Sequence, residues 1–236
     1  MSNRKVLILQ HQHQDHAAYL RTWLEGEGVP FEIRNTQAGD AFPRRIDGWR
    51  ALAVLGGEMS ANDDLPPLHD AQALIRDAMA RDVPIVGHCL GGQLMARALG
   101  ARVVASPAPE IGWHDISVHA VAAADDWFGV QATQRVFQWH YEAFELPAGA
   151  VALATSQACG VQAFSIGRSL AMQFHVEVDA IKLAAWATAR DAQFKAAQRQ
   201  PASVQSGPTM LARAQRDLGA QQQLADRIYR RWLRQP

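Results

Sequence analysis

The feature that most limits how this chain can fold is the run Val83-Pro-Ile-Val-Gly-His-Cys-Leu-Gly-Gly-Gln93. Val83 to Val86 reads as a buried strand, and Leu90, Leu94, Met95, Ala98 and Leu99 mark a helix that follows at once. Only Gly87-His88-Cys89-Leu90-Gly91 is available to turn one element into the other. So short a turn is crowded, and glycine on either side of the central residue leaves room for it. The turn lifts the central side chain above the sheet and aims the helix N-terminus at it. For a cysteine that favours thiolate over thiol, and the first free N–H groups of the helix can bind an oxyanion. A cysteine after a strand is by default a small core residue, so the turn becomes chemistry only with other groups around it.

The surrounding pattern fixes the frame. Lys5 to Leu9 is a buried strand without polar alternation. Asp15 to Glu27 reads as a helix, Phe31 to Arg34 as a short strand, and Ala51 to Leu55 as another buried run closed by Gly56-Gly57. Leu68, Ala71, Ile75 and Ala78-Met79 recur at helical spacing. This alternation predicts an α/β fold: a mostly parallel sheet flanked by helices in three layers. Residues 102–105, 111–119, 135–139, 151–154, 161–165 and 169–174 then read as short strands with few helices between them, so antiparallel strands are expected beside the parallel core.

A long helical stretch is predicted from Asp179 to Ala197, followed by a loop from Arg199 to Pro208. Leu211, Leu218, Leu224-Ala225, Ile228 and Trp232 mark an amphipathic C-terminal helix. It is expected to pack back on the domain, with a partner-binding or homodimer helix as the alternative. The chain therefore divides into an α/β domain over 1–198 and a linker with C-terminal helix over 199–236. Its 236 residues, 48% of them apolar, suit one such domain with an appendage.

Charge excludes some partners. With 23 basic and 23 acidic residues the net charge is zero, so nothing points to nucleic acid or to an anionic membrane. No apolar run is long enough to span a bilayer, and MSNRKVLILQ is too weakly apolar for a secretory signal. Cys89 and Cys159 are too few for a disulfide framework and read as free thiols in a reducing cytoplasm, with Cys159 structural.

Three further motifs give Cys89 company. Gln173-Phe174-His175-Val176-Glu177 is expected at a strand end, where residues two apart share a face. Glu177 can then reach the His175 imidazole, fix its tautomer and stabilise the imidazolium. Gly56-Gly57, after a central strand, lets backbone N–H groups approach a ligand closely. Trp139-His140-Tyr141-Glu142, expected after a strand, suits an active-site rim. His11, His13 and His16 in HQHQDH should leave the carboxyl end of the first strand, the ligand side of open α/β sheets. Three histidines without a second cluster make a poor metal set. They read as polar loop residues, and no metal is expected.

Gly87-His88-Cys89-Leu90-Gly91-Gly92-Gln93 resembles the nucleophile motif of class I (triad) glutamine amidotransferases, and Gln173-Phe174-His175-Val176-Glu177 resembles that family's QFHPE motif. The order along the chain also matches, over roughly residues 4 to 190. The likeness is strongest to the stand-alone, GMP synthase-like branch, through Gly56-Gly57-Glu58-Met59-Ser60, Glu110-Ile111-Gly112-Trp113 and Phe137-Gln138-Trp139-His140. Val176 and Glu58 stand where relatives carry proline, and Tyr141-Glu142 stand where they often carry Gly-Asp.

The resemblance implies a small-molecule substrate, glutamine, with Cys89 as nucleophile, His175 as general base and acid, and Glu177 orienting His175. The N–H groups of Leu90 and Gly57 would hold the oxyanion. Gln93 and the Gly56-Gly57 backbone would contact the amino-acid end of the substrate, with His140 and Glu142 on the rim. No metal or cofactor is implied. Synthetases of this family add an ATP-using acceptor domain. The Ser-Gly-Gly-x-Asp-Ser loop of such domains is not in the sequence, so an ammonia-accepting synthetase subunit is expected to be separate, or the chain to act as a free hydrolase. A γ-glutamyl peptidase using the same thioester chemistry is the alternative enzyme. A non-catalytic regulator on this scaffold is opposed by the Cys, His and Glu, and a PfpI-type cysteine hydrolase by the late Gln-Phe-His-x-Glu segment.

Overall fold

The computed structural model describes residues 4–199 and 202–234. β1 (Val6–Gln10) lies between β2 (Phe31–Asn35) and β3 (Ala51–Val54), in parallel register with both. All of β1 is buried, and its alternate residues serve two different cores. Val6 and Ile8 join a cluster with α1 (Ala18–Gly26), α4 (Ala122–Phe128) and α7 (Gly207–Trp232). Leu7 and Leu9 join another with α2 (Pro66–Ala80) and α3 (Leu90–Ala98). A strand that must be apolar on both faces cannot alternate, which is why the sequence reads as a continuous apolar run.

The sheet has nine strands in the order β2-β1-β3-β4-β9-β8-β7-β5-β6. β4 (Ile85–His88) and β9 (Ser169–Met172) continue the parallel part. β8 (Ala163–Ile166), β7 (Val151–Thr155), β5 (Val103–Val118) and β6 (Thr133–Phe144) are antiparallel. The fold is thus the expected three-layer α/β sheet with an antiparallel addition and a C-terminal helix. In α7, Leu224, Ala225, Ile228, Tyr229 and Trp232 enter the first core, and the Trp232 indole donates to the Pro84 carbonyl at 3.1 Å. No helix among the described residues is long and apolar enough to cross a membrane.

Several local expectations change. The segments predicted as strands at 102–105 and 111–119 form one long β5, kinked where its register against β6 shifts between Ala105 and Glu110. The quartet Trp139 to Glu142 lies inside β6, not after a strand. The helix expected from Asp179 to Ala197 is two, α5 (Ala180–Ala187) and α6 (Ala192–Ala197). Asp179 accepts from the Lys182 N–H, and Asp191 accepts from the Phe194 N–H, so a second N-cap starts a second helix. Pro208, expected in the loop, lies in the first turn of α7, where its missing N–H costs no helical bond. α1 starts at Ala18 and not at Asp15, because Asp15 is turned to a buried partner.

Candidate active site

Cys89 closes β4 and caps α3 with φ 48° and ψ −108°, a strained conformation for a residue with a side chain. The flanking glycines allow it. A Cβ on Gly91 would lie 2.0 Å from the Val54 carbonyl oxygen, and one on Gly87 would lie 2.7 Å from the Gly91 backbone. Cys89 is 6% exposed. Its sulfur lies 3.6 Å from the Trp139 carbonyl and accepts from Gln173 Nε2 at 3.6 Å.

His175 and Glu177 meet, but not by strand alternation. β9 ends at Met172, and the chain bends through the next residues. The Gln173 N–H is taken by the Gln162 carbonyl and the His175 N–H by the Phe137 carbonyl at 2.9 Å, which pulls the backbone away from the ladder. The bend brings His175 Nδ1 to 2.7 Å from Glu177 Oε1, both side chains buried. Burial acts to lower the His175 pKa, but Glu177 and the Cys89 side chain outweigh it and raise it to about 10. Burial would push the Glu177 carboxyl up, yet Lys182, then His175 and His88, hold it well below the usual range.

The other predicted residues divide into two groups. Gly56 backs directly on the cluster: a Cβ there would lie 2.4 Å from Asp15 Oδ2 and 3.0 Å from His175 Cε1. Gly57 sits beside Leu90, whose Cδ2 would be 2.9 Å from a Cβ on Gly57. Gln93 Nε2 donates to the Glu142 carbonyl at 3.0 Å and to Gln173 Oε1 at 3.4 Å, so a chain of amides runs from Gln93 through Gln173 to the sulfur. The Glu142 carboxylate accepts from Ser60 Oγ at 2.7 Å. His140 belongs elsewhere. Its ring is buried, with Nε2 3.2 Å from Glu110 Oε2 and Nδ1 3.1 Å from the Glu142 carbonyl. Glu110 Oε2 also accepts from Ser156 Oγ and Gln162 Nε2, so both His140 nitrogens are engaged in an internal network.

The three loop histidines do not converge. His11 is buried edge-on against Phe42, with neither ring nitrogen hydrogen-bonded. His13 Nδ1 lies 3.0 Å from Asn35 Nδ2, and His16 Nδ1 accepts from the Ala18 N–H. Asp15, His175 and Glu177 do bring ligand-type atoms within 4.8 Å of one another. A built-in cation already occupies that place: Lys182 Nζ contacts Asp15 and is 3.1 Å from Glu177 Oε1.

Sequence reasoning missed Lys182, Asp15 and the role of Gln173. The signal for Lys182 was a lysine in the otherwise apolar run Ala180-Ile-Lys-Leu-Ala-Ala-Trp-Ala187. It also missed His88, whose Nε2 is 3.8 Å from Glu177 Oε2 and 3.3 Å from the Tyr229 hydroxyl of α7.

Fold and cluster together define an α/β protein with a buried Cys-His-Glu set beyond the carboxyl ends of two adjacent parallel strands. A model of the family described as "Glutamine amidotransferase class-I" matches residues 27–182. YfeJ of Salmonella typhimurium, described as a glutamine amidotransferase-like protein, is 32% identical over 186 residues, covering 74% of this chain and 75% of its own. One of the separate subunits of glutamine-hydrolysing GMP synthase from Thermoplasma volcanium is 28% identical over 173 residues, 72% of this chain and 79% of that one. The crystal structure of a glutamine amidotransferase from Methylobacillus flagellatus superposes with TM-score 0.89 at 34% identity, covering 98% of this chain and 94% of that one. This chain belongs to the class I glutamine amidotransferase family.

Proposed function

We propose that this protein hydrolyses the side-chain carboxamide of glutamine through a γ-glutamyl thioester on Cys89. The observation that carries the reading is the strained Cys89 elbow, its sulfur held beside an imidazole that a buried carboxylate orients at 2.7 Å. His175, its pKa raised to about 10, already holds the proton beside the sulfur, which attacks the carboxamide carbon as thiolate. The tetrahedral oxyanion falls to the backbone N–H groups of Gly57 and of Leu90, the first residue of α3. His175 returns the proton to nitrogen, and ammonia leaves. Water, deprotonated by His175, then cleaves the thioester and releases glutamate. Glu177 keeps the Nδ1 proton on its own side of the ring, so Nε2 serves the reaction.

Gly56 and Gln93 are assigned to the substrate's amino-acid end, with the Glu142 carboxylate on the rim. His140, enclosed with Glu110, shapes that rim from behind. Residues 1–198 are assigned the chemistry, and α7 packs against the core behind it. The likeness to proteins named as separate GMP synthase subunits supports delivery of ammonia to a second, synthetase chain.

The test is ammonia and glutamate release from glutamine by the purified chain, with γ-glutamyl peptides in parallel and with or without cell extract. Glutaminase activity lost in Cys89→Ala supports the reading. Preference for γ-glutamyl peptides moves the substrate to that class, and full activity in Cys89→Ala ends the nucleophile assignment.

A further inference from the structure

Lys182 is the most deeply buried charge in the described residues apart from Glu177, and both are 0% exposed. A lysine is almost never fully buried unless it is paired. Here its ammonium contacts Asp15, the His16 carbonyl at 3.0 Å and Glu177 Oε1 at 3.1 Å, so three acceptors meet its three protons. Nothing in the packing of α5 asks for a charge, since its other buried residues are Leu183 and Ala187. The lysine stem could be replaced there by any straight apolar chain.

What the ammonium does is visible at Glu177. Oε1 receives both His175 Nδ1 and Lys182 Nζ, whereas Oε2 has no hydrogen bond. Two donors on one oxygen fix the plane of the carboxylate and its distance from the imidazole. Lys182 is in turn fixed by Asp15, which lies outside α1 and reaches inward past Gly56. Without the lysine, two buried carboxylates would face one imidazole, and one of them would take up a proton. A protonated Glu177 could no longer stabilise the imidazolium.

We propose that Lys182 is a positioning residue, holding Glu177 as an ionised, oriented partner of His175, with Asp15 as the counter-anion that keeps the lysine in place. This rests on the assignment of Cys89, His175 and Glu177 as the reacting set. The titratable groups around it are Asp15 and His16 from the β1–α1 loop, His88 from β4, His175, Glu177 and Asp179 from the segment after β9, and Tyr229 from α7. The Trp186 ring covers the remaining side, 4.7 Å from Nζ.

The test uses the full chain and needs no knowledge of the natural substrate. Iodoacetamide alkylation of Cys89 is followed against pH, with peptide mass separating it from Cys159. In Lys182→Met the acid limb of the rate moves to higher pH by about one unit, because the loss of the cation beside Glu177 reaches Cys89 through His175. Lys182→Met/Asp15→Asn removes charge in a balanced pair, leaves no second carboxylate beside the imidazole, and keeps a smaller upward shift because Glu177 Oε1 has lost its second donor. Asp15→Asn alone leaves the lysine to Glu177 and moves the limb to lower pH. A native profile in both lysine variants, or an upward shift in Asp15→Asn, overturns the proposal. Failure of the underlying assignment looks different: Cys89→Ala would then retain amidase activity, whatever the lysine variants do.

Discussion

The Cys89 N–H donates to the Met172 carbonyl at 2.8 Å. The elbow and the segment carrying His175 therefore leave the sheet from one shared rung between β4 and β9. Sulfur and imidazole come from distant parts of the sequence, yet both start from this one rung, and the pinned bend after Met172 carries His175 on from it. A site mounted this way stays aligned without the substrate's help.

Strain at the elbow gives an inverted mutational order. At φ 48° and ψ −108° a Cβ is unfavourable, and glycine is not. Cys89→Gly should be more stable than Cys89→Ala by about 1 kcal/mol or more, the reverse of the usual ranking. Both should be inactive as amidases. Denaturant midpoints of the two variants check this, and a less stable glycine variant would show that the elbow carries no strain.

His175→Ala should lower turnover by about 10²–10⁴-fold, the usual contribution of a positioned acid–base group. Glu177→Gln should lower it too, with KM changed far less than kcat, because the carboxylate touches the imidazole and not the substrate. Steady-state kinetics on glutamine separate the two parameters. A Glu177→Gln effect confined to KM would remove Glu177 from its orienting role.

Much of this was legible in the sequence because it was local. The elbow sits within Gly87 to Gly91, and its glycines are required by contacts with Val54 and with each other that any such turn makes. The parallel core was legible because strands buried on both faces carry unbroken apolar runs. The pairing of His175 with Glu177 was legible in outcome but not in cause: a bend after Met172, pinned by the Gln162 and Phe137 carbonyls, replaces the expected strand. Lys182 and Asp15 were not legible, since their meeting depends on α5 docking beside the β1–α1 loop, and in HQHQDH the histidines drew the reading away from Asp15. His140 looked like a rim residue because its partner, Glu110, lies across a strand pair whose register the sequence does not print.

Two glycines offer opposite tests of packing. A Cβ on Gly91 would meet the Val54 carbonyl at 2.0 Å, against backbone that cannot yield cheaply. Gly91→Ala should cost about 1–3 kcal/mol, as overpacking does. Gly219, exposed within α7, has nothing within 4 Å of a Cβ. Gly219→Ala should stabilise by about 0.5–1 kcal/mol through helix propensity alone. Thermal melting of both variants reads the signs directly.

His11 makes stability depend on mild acid. Burial lowers its pKa from 6.5 to about 4 against the pull of Asp15, and neither ring nitrogen is hydrogen-bonded. The unfolded chain gains a proton below its pKa of 6.5, and the folded chain does so only near 4. Within that window the unfolded state binds more protons, so His11 removes stability as pH falls, by up to about 1.4 kcal/mol per pH unit. Below the folded value both states are protonated and the slope from this group vanishes. His16, His88 and His114, also lowered, act in the same sense, so the native protein should lose stability for all four. His11→Leu keeps an apolar side chain against Phe42 and abolishes one of these contributions. Denaturant unfolding at neutral pH and near the lower edge of the window should show a smaller acid loss in the variant than in the native chain. Equal losses would mean that His11 is protonated in the folded state, and the loop around it would have to open to water to allow that.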